Sequence, residues 1–101
     1  MPINMVVRRL GDHKSSRLEA LRAQGVPLLK KHGATSHSFG YYHSGPHAGQ
    51  ILIVLTYPDL ITHERALQGM AQDEDWKRVA DEVEKLAPLQ EIYLTVVTEE
   101  R

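Results

Sequence analysis

The sequence predicts an α+β fold: a four-stranded antiparallel sheet with two helices on one face, in the order strand, helix, strand, strand, helix, strand. Three observations carry this reading. Segments with the two-residue apolar period of a strand open and close the chain, at Ile3 to Leu10 and at Glu91 to Thr98. Two more strand segments, His37 to His43, rich in aromatics, and Gln50 to Tyr57, meet at the turn Ser44-Gly45-Pro46-His47-Ala48-Gly49. Between strands, leucines, valines and alanines recur at helical spacing.

The elements follow in chain order. Ile3, Met5 and Val7 share one face of the first strand, and Asn4, Val6 and Arg8 the other. Leu18, Leu21, Leu28 and Leu29 mark the first helix, with a capping box of Ser16 and Glu19 at its start and Lys30, Lys31 and His32 before Gly33 at its end. Pro27 lacks an amide donor and crowds the preceding turn, so a kink or break is expected near Gln24. His37 to His43 and Gln50 to Tyr57 form the central hairpin. Asp59 caps a helix covering Leu60, Ala66, Leu67 and Met70, and Asp73 caps a segment whose stripe is Trp76, Val79, Ala80, Val83 and Leu86. The second helix is therefore either long or broken near Gln72. Pro88 stops it, and the last strand alternates Ile92, Leu94 and Val96 against Tyr93, Thr95 and Val97.

Length and composition narrow the classes. A chain of 101 residues fits one domain, residues 1–101, which on folding buries little more than ~60% of its unfolded surface. With 12 basic and 13 acidic side chains, its charge of -1 argues against nucleic acid as a partner. The longest apolar run, Ile51 to Leu55, is far short of a membrane span, and the start has no signal-peptide pattern, so the expected setting is cytoplasmic, with no membrane partner. The chain has no cysteine, which removes disulfides, thiolate nucleophiles and cysteine metal sites.

Right-handed crossovers put both helices on the same side of the sheet. The other side is left bare, with Val6, Leu52, Val54, Val97 and some of the strand-two aromatics on it. Such a face exceeds the ~300–600 Å² largest apolar patch of a typical monomer. A second copy of the chain is its simplest cover.

Three stretches carry a resemblance: the first strand Ile3-Asn4-Met5-Val6-Val7-Arg8, the turn Ser44 to Gln50 with Ile51-Leu52-Ile53-Val54-Leu55 after it, and the helix start Asp73-Glu74-Asp75-Trp76. On these the chain resembles the dimeric α/β-barrel superfamily of ferredoxin-like domains, and within it the NIPSNAP-like and antibiotic-biosynthesis-monooxygenase-like domains. The resemblance covers nearly the whole chain and is specific for fold. It implies a homodimer that closes a barrel, and activities that range from cofactor-free oxygenases and haem-degrading enzymes to stress-response modules. Haem binding in that superfamily uses a helical histidine where this chain has Ala80 and Asp81, so no cofactor is expected.

The candidate site residues are polar side chains on the strands. His37, Tyr41 and His43 are the candidates for moving a proton, provided their face of strand two points into the barrel, a parity the sequence leaves open. Asn4, Arg8, Tyr93 and Thr95, opposite in parity to the apolar rows of their strands, are the candidates for binding a small ligand. Arg8 needs an anion or a carboxylate if enclosed, and none if it lies in water at the rim. The histidines near the hairpin, His37, His43 and His47, lack the spacing of a recognised metal motif, so no metal is expected. Trp76 opens an apolar stripe and reads as core. The expected function is a homodimeric domain binding a small ligand, acting as a cofactor-independent monooxygenase on an aromatic or polyketide-like molecule. The competing expectation is a non-catalytic NIPSNAP-like or stress-response module.

Overall fold

In the computed structural model, which describes residues 1–99, the strands are β1 (Ile3–Arg9), β2 (Ser36–Tyr41), β3 (Ile51–Tyr57) and β4 (Leu89–Val96). The helices are α1 (Ser16–Lys31), α2 (Leu60–Ala71) and α3 (Glu74–Leu86). The sheet order is β2-β3-β1-β4, with all neighbours antiparallel. This is the ferredoxin-like α+β fold that the order of periods predicts.

Register fixes which side chains share a face, because directly opposed residues in an antiparallel pair project to the same side. Met5 pairs with Leu55, and Val7 with Ile53. Met5, Val7, Leu55 and Tyr57 lie in one buried cluster with Leu29, Ala34, Ala66 and Met70, so the odd-numbered positions of β1 and β3 face the helices. On the opposite, open face stand Asn4, Val6 and Arg8 of β1 with Leu52, Val54 and Thr56 of β3.

The second helix breaks at Gln72. Asp59 caps α2 by accepting from the Thr62 amide, and Asp73 caps α3 by accepting from the amides of Asp75 and Trp76. The first helix does not break. Its buried residues Leu21, Gly25 and Leu29 fall at i, i+4 and i+8, and Gly25 meets Val79 and Trp76 of α3. A break near Gln24 would split that stripe, so packing outweighs the local cost of Pro27. The cap of α1 also lies one residue earlier than expected: Ser15, not Ser16, accepts from the Leu18 amide.

Strand bounds differ modestly. β2 ends at Tyr41 instead of His43, while β4 starts at Leu89, two residues before Glu91. Beyond β2 the Tyr42 amide still donates to the Gln50 carbonyl at 2.9 Å, and the Gly49 amide to the Tyr42 carbonyl at 2.7 Å, which seals the connecting loop at its base. Gly45 and Gly49 adopt φ values of 88° and 86° there, a region that glycine enters without strain.

Val6, Leu52 and Val54 lie on the open face as expected, and Tyr93 joins them by pairing with Val6, but the face is not bare: Val6 is already buried and Leu52 and Val54 are half-buried in the single chain. The face does not hold the strand-two aromatics. His37 pairs with Leu55, Phe39 with Ile53 and Tyr41 with Ile51, so all three lie on the helical flank, and Ser36, Ser38 and Gly40 occupy the open face. β4 is exposed along its whole length, including Ile92, Leu94 and Val96 on the helical flank.

Candidate functional site

Two adjoining lobes of a cleft, about 470 and 450 Å³, lie between the helical flank of the sheet and helices α1 and α3. Arg9, Arg22, Phe39, Ile53 and Val83 border both. The inner lobe is apolar, walled by Met5, Leu21, Leu55, Trp76 and Val79. The outer lobe is more mixed and is bordered by His13, Lys14, Glu19 and Tyr41 beside Leu18, Phe39 and Ile51. An apolar recess with a few polar groups at its mouth suits a small organic ligand of mixed character.

Local chain geometry places the polar groups. Gly11 turns the chain out of β1 with φ 125°, and a Cβ there would stand 2.9 Å from the Leu86 carbonyl oxygen. The Leu10 amide donates to the Pro88 carbonyl, and Asp12 Oδ1 accepts from the Lys14 amide at 2.9 Å. This braced loop lays the His13 ring flat on Tyr41, with centroids 4.1 Å apart and planes inclined by 10°. On α1, the Arg22 guanidinium lies over the Phe39 ring, 5.2 Å from its centroid. Among the described residues neither Arg22 nor Lys14 has an ion-pair partner, and with Glu19 on the same lobe the three side chains leave a single net positive charge. Arg9 is compensated: its guanidinium donates to Glu84 Oε2 at 2.7 Å and to the Ala87 carbonyl at 3.0 Å. The Arg9 hydrogen bond, helped by the Leu89 amide, holds the Glu84 carboxyl below its usual range.

The seven candidates fall on two sides of the sheet. His37 and Tyr41 face the helices, and only Tyr41 borders the cleft; His37 leans on Phe39 with centroids 5.5 Å apart. His43 lies past the end of β2, exposed. Asn4, Arg8, Tyr93 and Thr95 project from the open face, and the sheet separates them from Tyr41. Asn4 Oδ1 accepts from the Thr56 hydroxyl at 2.8 Å. Arg8 is largely enclosed and partnered: it donates to Gln50 Oε1 at 2.6 Å and stands 3.9 Å from Glu91, while its Nε is buried without an acceptor. Among the described residues no three histidine or carboxylate side chains gather to hold a metal.

His13 and Arg22 escape sequence reasoning because they come from a loop and a helix surface, where no periodicity marks them. The Gly11-Asp12 turn is the one signal that the residues after it fold back on the sheet. Trp76 packs against the core, as its stripe predicts, and also borders the inner lobe.

Comparison with solved structures supports the fold. The chain is similar to SnoaB of Streptomyces nogalater, a cofactor-independent oxygenase, with a TM-score of 0.73 at 15% identity over 98% of this chain and 95% of that one. It is similar to a NIPSNAP domain protein of Burkholderia xenovorans, at TM-score 0.76 and 16% identity over 97% and 95% of the two chains. A dimeric ferredoxin-like protein from an uncultured marine organism matches at TM-score 0.71 and 12% identity over 99% and 97%. At such identities the likeness is one of fold. No curated protein matches the sequence. Residues 6–88 match the model of a domain family of unknown function, DUF6854, and the chain belongs to that family.

Proposed function

We propose that this chain binds a planar, electron-rich aromatic or polyketide-like molecule in the cleft between sheet and helices, and oxygenates it without a cofactor. The observation that carries the reading is the His13–Tyr41 stack at the mouth of an apolar recess. An imidazole held against an aromatic ring beside an apolar wall suits a substrate that must lose a proton before it can react with oxygen. In that reaction an acidic methylene of the substrate gives a proton to the His13 imidazole, the carbanion reduces O2 and forms a C–O bond, and the peroxide anion takes the proton back from the imidazolium. Loss of water from the resulting hydroperoxide leaves a carbonyl. One oxygen atom enters the product, the other leaves as water, and all four electrons come from the substrate.

The chemistry thus moves from the barrel interior to the helical flank, with Tyr41 kept and His13 added. Asn4, Arg8, Tyr93 and Thr95 belong, in this reading, to the face that a second copy covers in a cytoplasmic homodimer; the apolar residues Val6, Leu52 and Val54 beside them support that cover. A non-catalytic binding module is the second reading, favoured by the unpartnered apolar row of β4.

Oxygen uptake with anthrone, without added metal or flavin, tests the proposal. The expected result is uptake by the parent and a fall of about a hundredfold or more in His13→Ala, the range of lost general base catalysis. No uptake across a panel of anthrones and naphthols, or full activity in His13→Ala, would remove the enzyme reading.

A further inference from the structure

We infer that the cleft is completed in trans: β4 of a second copy lies along the outer edge of β2 and brings Leu94 and Val96 over the mouth of the outer lobe. This rests on the reading of the cleft as the binding site.

The first support is the mismatch between β4 and its surroundings. In an antiparallel sheet the apolar row of an alternating strand is the face that packs away from water. β4 alternates Ile92, Leu94 and Val96 with Glu91, Tyr93 and Thr95, yet the apolar row is 49%, 43% and 54% exposed in the single chain.

The second support is the sheet's own ends. In the order β2-β3-β1-β4 the two free edges belong to β2 and β4. Unpaired edges invite pairing, and a two-fold that sets β4 against the partner's β2 satisfies every edge of both sheets at once. It also encloses Val6, Leu52, Val54 and Tyr93, the apolar residues of the open face.

The third support is continuity of faces. Pairing carries the helical flank of one strand onto the helical flank of the next. The row Ile92, Leu94 and Val96 therefore meets the partner's row of His37, Phe39 and Tyr41, of which Phe39 and Tyr41 border the outer lobe. β2 is the last strand on its side of the sheet, and its Phe39, Gly40 and Tyr41 line the outer lobe, so the lobe reaches that edge. An aliphatic lid there would exclude water from the His13–Tyr41 pair, which strengthens electrostatic interactions inside the cleft.

Mixing of subunits tests the inference, with 8-anilinonaphthalene-1-sulfonate as the probe because it is planar and apolar and carries a negative charge for Arg22. Two variants are made, Leu94→Ser and Phe39→Asp, each with its mass checked by light scattering. Each alone should bind the dye at least about threefold more weakly than the parent. After random exchange of an equimolar mixture half of the dimers are mixed, and each of these has one cleft with an intact Phe39 and an intact Leu94 from the other chain, so about a quarter of the clefts regain parent binding and the signal rises above the mean of the two variants. If Leu94 acts within its own chain, neither cleft is whole and the mixture stays at the mean of its parents, which overturns the inference. Parent-like dye binding by Leu94→Ser, or a monomeric parent, overturns it as well. Because the chain has no cysteine, singly substituted His37→Cys and Leu94→Cys chains give an independent reading: a short bismaleimide should join them as a mixed pair. A mixed crosslink without any dye binding by the parent would sink the cleft reading while upholding the trans placement of β4; dye binding with no crosslink and no rescue would do the reverse.

Discussion

The carboxylate of Asp73, which caps α3 through the amides of Asp75 and Trp76, also meets the His32 imidazole at 2.7 Å, so one side chain fastens the end of α1 to the start of α3. Lys31 adds a fourth contact at 3.1 Å. The bond from His32, followed by that from Lys31, holds the Asp73 carboxyl well below the usual carboxylate range.

A lowered folded-state pKa means that the carboxylate's contribution is complete above the unfolded value near 3.8 and is lost as pH falls through the folded value. Asp59, lowered mainly by the Thr62 amide, and Glu84 act in the same direction. Urea unfolding measured between about pH 5 and pH 2 should therefore show stability falling with acid. In Asp73→Asn the curve should start lower and fall less steeply. An unchanged slope would show that the link between the helices contributes nothing.

Gly69 of α2 lies under the same histidine. A Cβ at that position would stand 2.7 Å from His32 Nδ1, which Asp73 holds in place. Gly69→Ala should lower the melting temperature, although alanine is the better helix former. With His32→Ala as background the sign should reverse, and Gly69→Ala should stabilise by about 0.5–1 kcal/mol. Thermal melts of the four proteins check the coupling.

Tyr57 presents the opposite case. Its hydroxyl is buried without a hydrogen-bond partner among the described residues, its ring meets His63 edge-on at 5.2 Å, and burial raises its pKa. Tyr57→Phe should be neutral or stabilising by about 1 kcal/mol, since it removes a desolvated polar atom and leaves the packing. Denaturant unfolding decides it: a loss of stability would show that a bound water satisfies the hydroxyl.

Gly11 connects the fold to the cleft. Its positive φ and its closeness to the Leu86 carbonyl oxygen make Gly11→Ala strained, at a cost of about 1–3 kcal/mol. The substitution should shift the loop bearing His13 and weaken dye binding well below that of the parent at temperatures where the protein is still folded. Circular dichroism and fluorescence titration on one sample separate the two effects.

The fold is legible in the sequence because β1 and β4 announce their period, a turn marks the hairpin between them, and each later helix shows its cap: Asp59 and Asp73 are both read from residue type alone and both accept the amides expected of them. Pro27 misleads, since the buried stripe Leu21, Gly25 and Leu29 is a tertiary fact that a local penalty does not reveal. The candidate site is less legible. Parity places His37 and Tyr41 on one face together, but only register with β3 says which face, and it sets them apart from Asn4, Arg8, Tyr93 and Thr95. His13 reaches Tyr41 through a turn, and a turn's direction is written in backbone angles more than in residue pattern.

The loop that Tyr42, Gly49 and Gln50 seal at its base is closed on itself by backbone hydrogen bonds. At its tip, a Cβ added to Gly45 would meet nothing within 4 Å. A reporter peptide spliced in between Ser44 and Pro46 would hang from a closed ring, and its bulk would be borne by that ring without moving β2 or β3. A segment closed in this way can change length while the strands on either side keep their register.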